Sequence, residues 1–243
     1  DSSLVEGAKP ILADILFIEG TYGGRYHPDK MEETERFLEA VDRVVRRGGT
    51  VLIPAFANGR TQDVVMILHK HRPHLNVHVD GMGKRVAKNH LSHPSFLKDA
   101  SGLERAWRWA KKVSSKSDKK KALSADVIVS TSGMLEGGPA LWYLNRLRHD
   151  RKNAVFFTGY QAEGTGGREL LETSHLNIYR ERVYVPLETE QFSFSTHAGQ
   201  KEILEFAKAC QAKHVIVYHA DAQTARPPLL AALQEQGHTV HEP

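Results

Sequence analysis

Apolar residues along this chain follow two alternating rhythms. Short continuous runs such as Val51-Leu52-Ile53, Val127-Ile128-Val129 and Val215-Ile216-Val217 are rich in β-branched residues and too brief for helices. Runs of that kind read as buried strands. On this basis strands are expected over 14–18, 50–55, 76–80, 125–130, 153–158, 183–187, 214–218 and 239–241. Between them, apolar positions recur at helical spacing: Phe37, Leu38, Val41, Val44 and Val45 in one stretch, Val64, Val65, Ile67 and Leu68 in the next. They predict helices over 29–47 and 61–71, the first ended by Gly48-Gly49, with further helices over 140–147, 167–173, 200–210 and 228–236. The stretch 81–123 reads as helical or irregular. Alternating strands and helices, joined by loops rich in Gly, Ser and Thr, predict an α/β fold with a mainly parallel sheet. Ligands of such sheets bind at the strand C-terminal ends.

Three strand-like runs stop at an ionisable side chain. Phe17-Ile18 leads to Glu19, Phe192-Ser193-Phe194-Ser195-Thr196 leads to His197, and Val215-Ile216-Val217-Tyr218 leads to His219. Strands that end in this way deliver polar groups to a sheet edge, where one carboxylate and two imidazoles can share a cleft. The plain alternative is a structural carboxylate–histidine hydrogen bond and a surface histidine.

These stretches resemble motifs A, B and C of the β-CASP nucleases of the metallo-β-lactamase fold, a group that includes the cleavage-and-polyadenylation endonucleases, their archaeal relatives and the RNase J enzymes. The family patterns are Glu-Ser-Thr-Tyr-Gly, Phe-Ser-x-His and Val-His-Gly-Glu. This chain has Gly20 in place of the serine and Ala220-Asp221 in place of Gly-Glu. Ile53 to Asp63 resembles the family's Pro-x-Phe-Ala-x-Gly-Arg-x-Gln-Glu element. Ser130 to Pro139 and Gly159 to Thr165 resemble its Ser-x-Gly-Met and Gly-Tyr-x-x-x-Gly-Thr loops. Five elements in family order over nearly the whole chain make the resemblance specific, whereas each alone is weak.

The resemblance implies a β-CASP domain over 24–190 and metallo-β-lactamase-like αββα segments over 1–23 and 191–243. It implies that Glu19 orients His197, that His197 is a general acid, and that His219 is a zinc ligand with Asp221 behind it. An imidazole suits the acid role when its pKa lies near working pH, and a neighbouring carboxylate fixes the ring and favours its charged form. Asn58, Gly59 and Arg60 open a helix after a strand, where free N–H groups and a guanidinium suit a phosphate. Ser132 and Gly133, and Gly164, Thr165 and Arg168, occupy similar loops. The plain readings are a helix cap, a salt bridge and ordinary Gly-rich turns, and Thr158 to Gln161 reads as loop scaffold.

The family's two-zinc site also draws on a His-x-His-x-Asp-His element, a further histidine and a bridging aspartate. None of the 14 histidines falls in that spacing, and Asp1 lies too close to Glu19 to be the bridging residue. The chain is therefore expected to be the C-terminal part of a zinc-dependent ribonuclease acting on single-stranded RNA, holding little or no zinc and inactive alone. A non-catalytic RNA-binding or scaffold module and a DNA nuclease of the same fold stay open as alternatives. No Walker lysine or dinucleotide-binding pattern supports a nucleotide-binding enzyme.

Charge modifies this only slightly. The net charge of +4 permits a polyanionic partner without requiring one. Lys111-Lys112 and Lys116 to Lys121 form a basic stretch, read either as a solvated loop or as a contact to the nucleic-acid backbone. No apolar run reaches the ~18 residues of a membrane span, so no membrane partner is expected. The single Cys210 fits a reducing, cytoplasmic setting, and a homodimer is expected by family analogy.

Overall fold

A computed structural model describes residues 4–242, which leaves Asp1 outside the described residues. In chain order the elements are β1 (Ile15–Glu19), α1 (Lys30–Arg46), β2 (Val51–Pro54), α2 (Arg60–His71), β3 (Val77–Asp80), α3 (Gly83–Leu91) and α4 (Ala100–Trp109). They continue as β4 (Lys111–Lys112), α5 (Lys116–Ala122), β5 (Val127–Ser130), α6 (Gly138–Leu147), β6 (Ala154–Phe157), α7 (Gly166–Thr173), β7 (His175–Ile178), β8 (Glu181–Tyr184) and β9 (Glu188–Gln191). The last are α8 (Gln200–Cys210), β10 (His214–Tyr218), α9 (Arg226–Glu235) and β11 (Thr239–His241).

The larger of two compact units comprises Lys30–Phe194 and the described residues up to Glu6. It is built on a six-stranded sheet in the order β4-β3-β5-β2-β6-β9, parallel throughout. Its central strands are buried on both faces, as continuous apolar runs under two helical layers require. Val51 and Ile53 face the helices α1, α2 and α4, while Leu52 faces α6 and α7.

The smaller unit comprises Gly7–Asp29 and the described residues from Ser195 onward. Its sheet has the order β1-β10-β11, again parallel. Val215 and Val217 pack with Leu229 and Leu233 of α9 and Ile203 and Ala207 of α8, with Leu16 and Ile18 against them. Ile15 and Phe17 alternate onto the opposite face, where Phe17 is 67 % exposed. The expectation of a fully buried first strand is therefore corrected: among the described residues, α8 and α9 pack on one face of this sheet and leave Phe17 on the other.

The sequence cuts after residues 23 and 190 differ from these unit boundaries. Phe192 and Phe194 belong to the larger core, where both rings meet Phe37 edge-on. Residues 24–29 run beside the start of α8, where the Gln200 amide donates to the Arg25 carbonyl at 2.9 Å.

Three local expectations change for identifiable reasons. The one strand expected over 183–187 is a β7–β8 hairpin followed by β9. Its turn residues Tyr179 and Arg180 both have positive φ, 53° and 73°, the geometry that Asn-Gly normally announces. β9 escapes the apolar pattern because Glu188 and Glu190 pair with Arg43 of α1, and Glu188 also pairs with Arg47 just after that helix, a charged edge strand. The lysine stretch is a helix, α5, started by a reciprocal Ser115–Asp118 capping box.

Glu33 ties α1 to the end of this sheet. Its carboxylate accepts from Arg36 Nε and Nη2, both at 2.8 Å, and from the Ser193 amide. Burial works to raise its pKa, but these bonds outweigh burial and hold it below the usual carboxylate range. A depressed folded pKa contributes stability above the unfolded value of about 4.3, lost as pH falls through the folded value. Glu33→Gln should cost ~1–3 kcal/mol at pH 7. In denaturant titrations across pH 7 to about 3 its deficit should shrink toward the acid end; a deficit independent of pH would mean that the charge does not matter.

Candidate active site

β1 and β10 run side by side in parallel, with Glu19 opposite Tyr218. Both strands therefore release their next residues at the same sheet edge. Tyr22 makes an isolated parallel bridge to Gly199, which brings the segment of His197 to the same place. His219 follows β10 with φ of 50°, a left-handed conformation costing a non-glycine residue about 1–2 kcal/mol and met at functional sites.

The side chains meet around a residue the sequence reading did not select. The Thr21 hydroxyl donates to Glu19 Oε2 at 2.5 Å and lies 2.9 Å from His219 Nδ1. It is 3.5 Å from His197 Nδ1 and 3.4 Å from the His219 carbonyl oxygen. The other carboxylate oxygen, Glu19 Oε1, is 3.3 Å from His197 Nδ1, and the two imidazoles stack with centroids 6.1 Å apart. Tyr22 and His27 extend the cluster, with His27 Nε2 2.9 Å from the His197 carbonyl oxygen.

A hydroxyl has one proton to give. With that proton directed at Glu19 in the shortest contact, Thr21 Oγ1 can only accept from His219, which requires Nδ1–H on that ring and, of the two neutral tautomers, selects the one with Nε2 bare. Burial tends to raise the Glu19 carboxyl, but the Thr21 hydroxyl and amide and the facing His197 outweigh it and keep its pKa below normal. An ionised Glu19 accepts from His197 Nδ1–H, so His197 presents Nε2 outward. His197 is half exposed and free to meet a ligand.

Asp221 does not hold His219. Its Oδ1 accepts from the Gln223 and Thr224 amides and from the Thr224 hydroxyl, a cap for the turn leading into α9. Thr21 has the place at His219 Nδ1 that the reading expected Asp221 to fill. A signal for Thr21 existed, because it sits inside the Glu-x-Thr-Tyr-Gly run, but a hydroxyl beside a carboxylate carries no distinctive spacing.

The two departures from the family motifs touch each other. A Cβ on Gly20 would lie 2.7 Å from Val217 Cγ1, 2.9 Å from Leu229 Cδ2 and 3.0 Å from Ala220 Cβ. A serine at 20 goes with glycine at 220 in the family pattern, and the reverse arrangement occupies the same space here. Gly20→Ser should cost ~1–3 kcal/mol through overpacking, and Gly20→Ser with Ala220→Gly should recover part of it. Thermal melts of the two singles and the double complete the cycle; strict additivity would mean the positions are uncoupled.

The remaining candidates lie in the larger unit, on the strand C-terminal edge. β2 leads to α2 on one face and β5 to α6 on the other, and ligand crevices form where neighbouring strands diverge in this way. Asn58, Gly59 and Arg60 follow β2, and Ser132 and Gly133 follow β5. Asn58 Oδ1 is 3.1 Å from His90 Nε2. Arg60 pairs with Asp63 at 3.6 Å and is largely buried. Ser132 Oγ accepts from the Glu136 amide. After β6, Gly164 has φ of 77° and Thr165 caps α7. The Gly166 amide donates to Glu136 at 2.7 Å, so a carboxylate of the chain itself already occupies that helix N-terminus. Arg168 pairs with Glu172 at 2.5 Å.

Sequence comparison fixes the class. Residues 61–170 match the Beta-Casp domain and residues 182–239 the Zn-dependent metallo-hydrolase RNA specificity domain. The chain is 36 % identical over 213 residues to the probable RNase MJ4 of Methanocaldococcus jannaschii, covering 86 % of this chain and 50 % of that protein. It is 36 % identical over 209 residues to RNase aCSPSF2 of Saccharolobus solfataricus, covering 85 % of this chain and 42 % of that protein. A crystal structure of a protein of unknown function from Enterococcus faecalis V583 shares the fold, with TM-score 0.52 at 9 % identity, over 96 % of this chain and 50 % of that one. The chain thus carries a Beta-Casp domain followed by a Zn-dependent metallo-hydrolase RNA specificity domain, and it spans half or less of the length of these two curated relatives.

The name of the second domain associates the family with zinc. Among the described residues no group of three or more His, Cys, Asp or Glu side chains is placed to hold a metal ion. Zinc sites take at least three protein ligands, so His219 with its described neighbours does not fit a zinc ion on its own. Among the described residues no helix is long and apolar enough to cross a membrane.

Proposed function

We propose that this chain is part of a zinc-dependent ribonuclease that hydrolyses phosphodiester bonds of single-stranded RNA, and that the chain alone is inactive. The reading rests on the convergence of Glu19, Thr21, His197 and His219 at one sheet edge. The RNase names of both curated relatives support the choice of RNA.

In this reading Glu19 holds His197 through Nδ1, and protonated His197 gives its Nε2 proton to the departing oxygen of the cleaved bond. Such positioned proton transfer contributes typically 10²–10⁴-fold to rate. His219 would hold a zinc ion through Nε2 as one ligand, the other ligands coming from outside the described residues.

The test measures zinc content by elemental analysis and cleavage of an end-labelled single-stranded RNA by the purified chain. Near-zero zinc and no cleavage are expected. About two bound zinc ions, with cleavage abolished by His219→Ala, would contradict the reading that this chain lacks a complete site. Cleavage unaffected by both His197→Ala and His219→Ala would remove the cluster from the chemistry altogether.

A further inference from the structure

We propose that His27 is a positioning residue: its Nε2–H donates to the backbone carbonyl of His197 and fixes the loop from which His197 faces Glu19. The proposal rests on the reading of His197 as proton donor and adds the side chain that aims it.

Glu19 ends a strand held by its ladder with β10, and His219 follows directly on that ladder. His197 has no such support, because it lies in irregular backbone between β9 and α8. The place of this loop therefore depends on individual contacts. The His197 amide donates to Ser195 Oγ at 3.1 Å, which is within the loop itself. A tie to a distant part of the chain comes from His27 Nε2, 2.9 Å from the His197 carbonyl oxygen. A carbonyl oxygen only accepts, so the proton of that bond sits on His27 Nε2.

The surroundings of His27 suit a fixed strut. Arg25, Tyr26, Pro28 and Asp29 are exposed, whereas His27 is half-buried. Pro28 disfavours helical backbone at His27 and stiffens the segment before α1. The His27 ring packs against Tyr22 at 4.7 Å between centroids, and Tyr22 bridges Gly199. A Cβ on Gly199 would lie 3.1 Å from His27 Cδ2 and 3.4 Å from the Arg25 carbonyl oxygen, so a bare Gly199 lets the ring close on the loop. The backbone behind it is fastened as well. The Gln200 amide donates to the Arg25 carbonyl at 2.9 Å, and the Gly24 amide donates to Gln200 Oε1.

The aim of His197 has little slack. Its Nδ1 is 3.3 Å from Glu19 Oε1, already long for a hydrogen bond, and a small outward shift of the loop breaks that contact. Misplacing a reacting group by about 1 Å can cost on the order of 10²-fold in rate. The hydrogen bond made by one imidazole nitrogen sets which nitrogen carries the proton, so the tautomer of His197 reports whether its loop is in place.

The experiment records long-range ¹H–¹⁵N correlation spectra of the whole chain labelled with ¹⁵N-histidine, at about pH 8, above the ordinary imidazole pKa of about 6.5. His197 in the parent should carry its proton on Nδ1. His27→Phe keeps a ring against Tyr22 without a donor, and should lower the ratio of Nδ1–H to Nε2–H at His197 about twofold to tenfold, the range that one hydrogen bond allows. His27→Gln, whose side-chain amide can reach the same carbonyl, should restore the ratio. Gly199→Ala, which pushes the ring off the loop but leaves its donor, should lower it as His27→Phe does. The His219 tautomer should stay as in the parent throughout, which separates aiming from a general loosening of the fold. A parent His197 without the Nδ1 proton overturns the proposal. So does an unchanged ratio in His27→Phe, a His27→Gln variant that behaves like His27→Phe, or a change of equal size at His219. The nuclease reading can fail separately: a His197 tautomer that follows His27, in a protein whose cleavage ignores His197, leaves the positioning contact standing and removes only its catalytic use.

Discussion

Strand β1 lies against β10 in parallel, from Ile15 opposite His214 to Glu19 opposite Tyr218, and the candidate site depends on that pairing. A parallel pair needs a crossover, and here the crossover contains Lys30–Phe194, the greater part of the larger unit. Closing so long a loop costs little more than closing a moderate one, and the two strands recover that cost by sharing a core with α8 and α9. Once the register is set, Glu19 and His219 emerge at one edge. The Tyr22–Gly199 bridge adds His197.

The cluster works through one hydroxyl. Thr21 touches the carboxylate and lies within hydrogen-bonding distance of His219 Nδ1, so the protonation of Glu19 and the tautomer of His219 are chemically linked. Either imidazole alone would be an ordinary surface group. The same economy appears at Gly20 and Ala220, where two departures from the family motifs fit one another sterically and leave the neighbouring polar groups undisturbed.

Much of this was legible in the sequence. The parallel α/β pattern follows from the buried runs Val51-Leu52-Ile53 and Val127-Ile128-Val129, and Glu19 and His219 sit at strand ends as their apolar runs predict, whereas the run before His197 is irregular because β9 already ends at Gln191. Other features carried no sequence signal. Tyr179 and Arg180 adopt a turn usually marked by glycine, and β9 is held by arginines of distant α1 instead of by apolar residues. The nearness of Asp221 in sequence to His219 does not decide where its carboxylate points, and the local turn into α9 takes its Oδ1.

The most direct measurement of the central claim is the tautomer of His219, read by long-range ¹H–¹⁵N correlation spectra of the chain labelled with ¹⁵N-histidine. The network of Glu19, Thr21 and His219 predicts that the tautomer carrying its proton on Nδ1 is the preferred one, and Thr21→Val should erase that preference while Thr21→Ser keeps it. A His219 ring protonated on Nε2, or one indifferent to Thr21→Val, would show that these side chains do not meet as described, and the candidate site would lose its foundation.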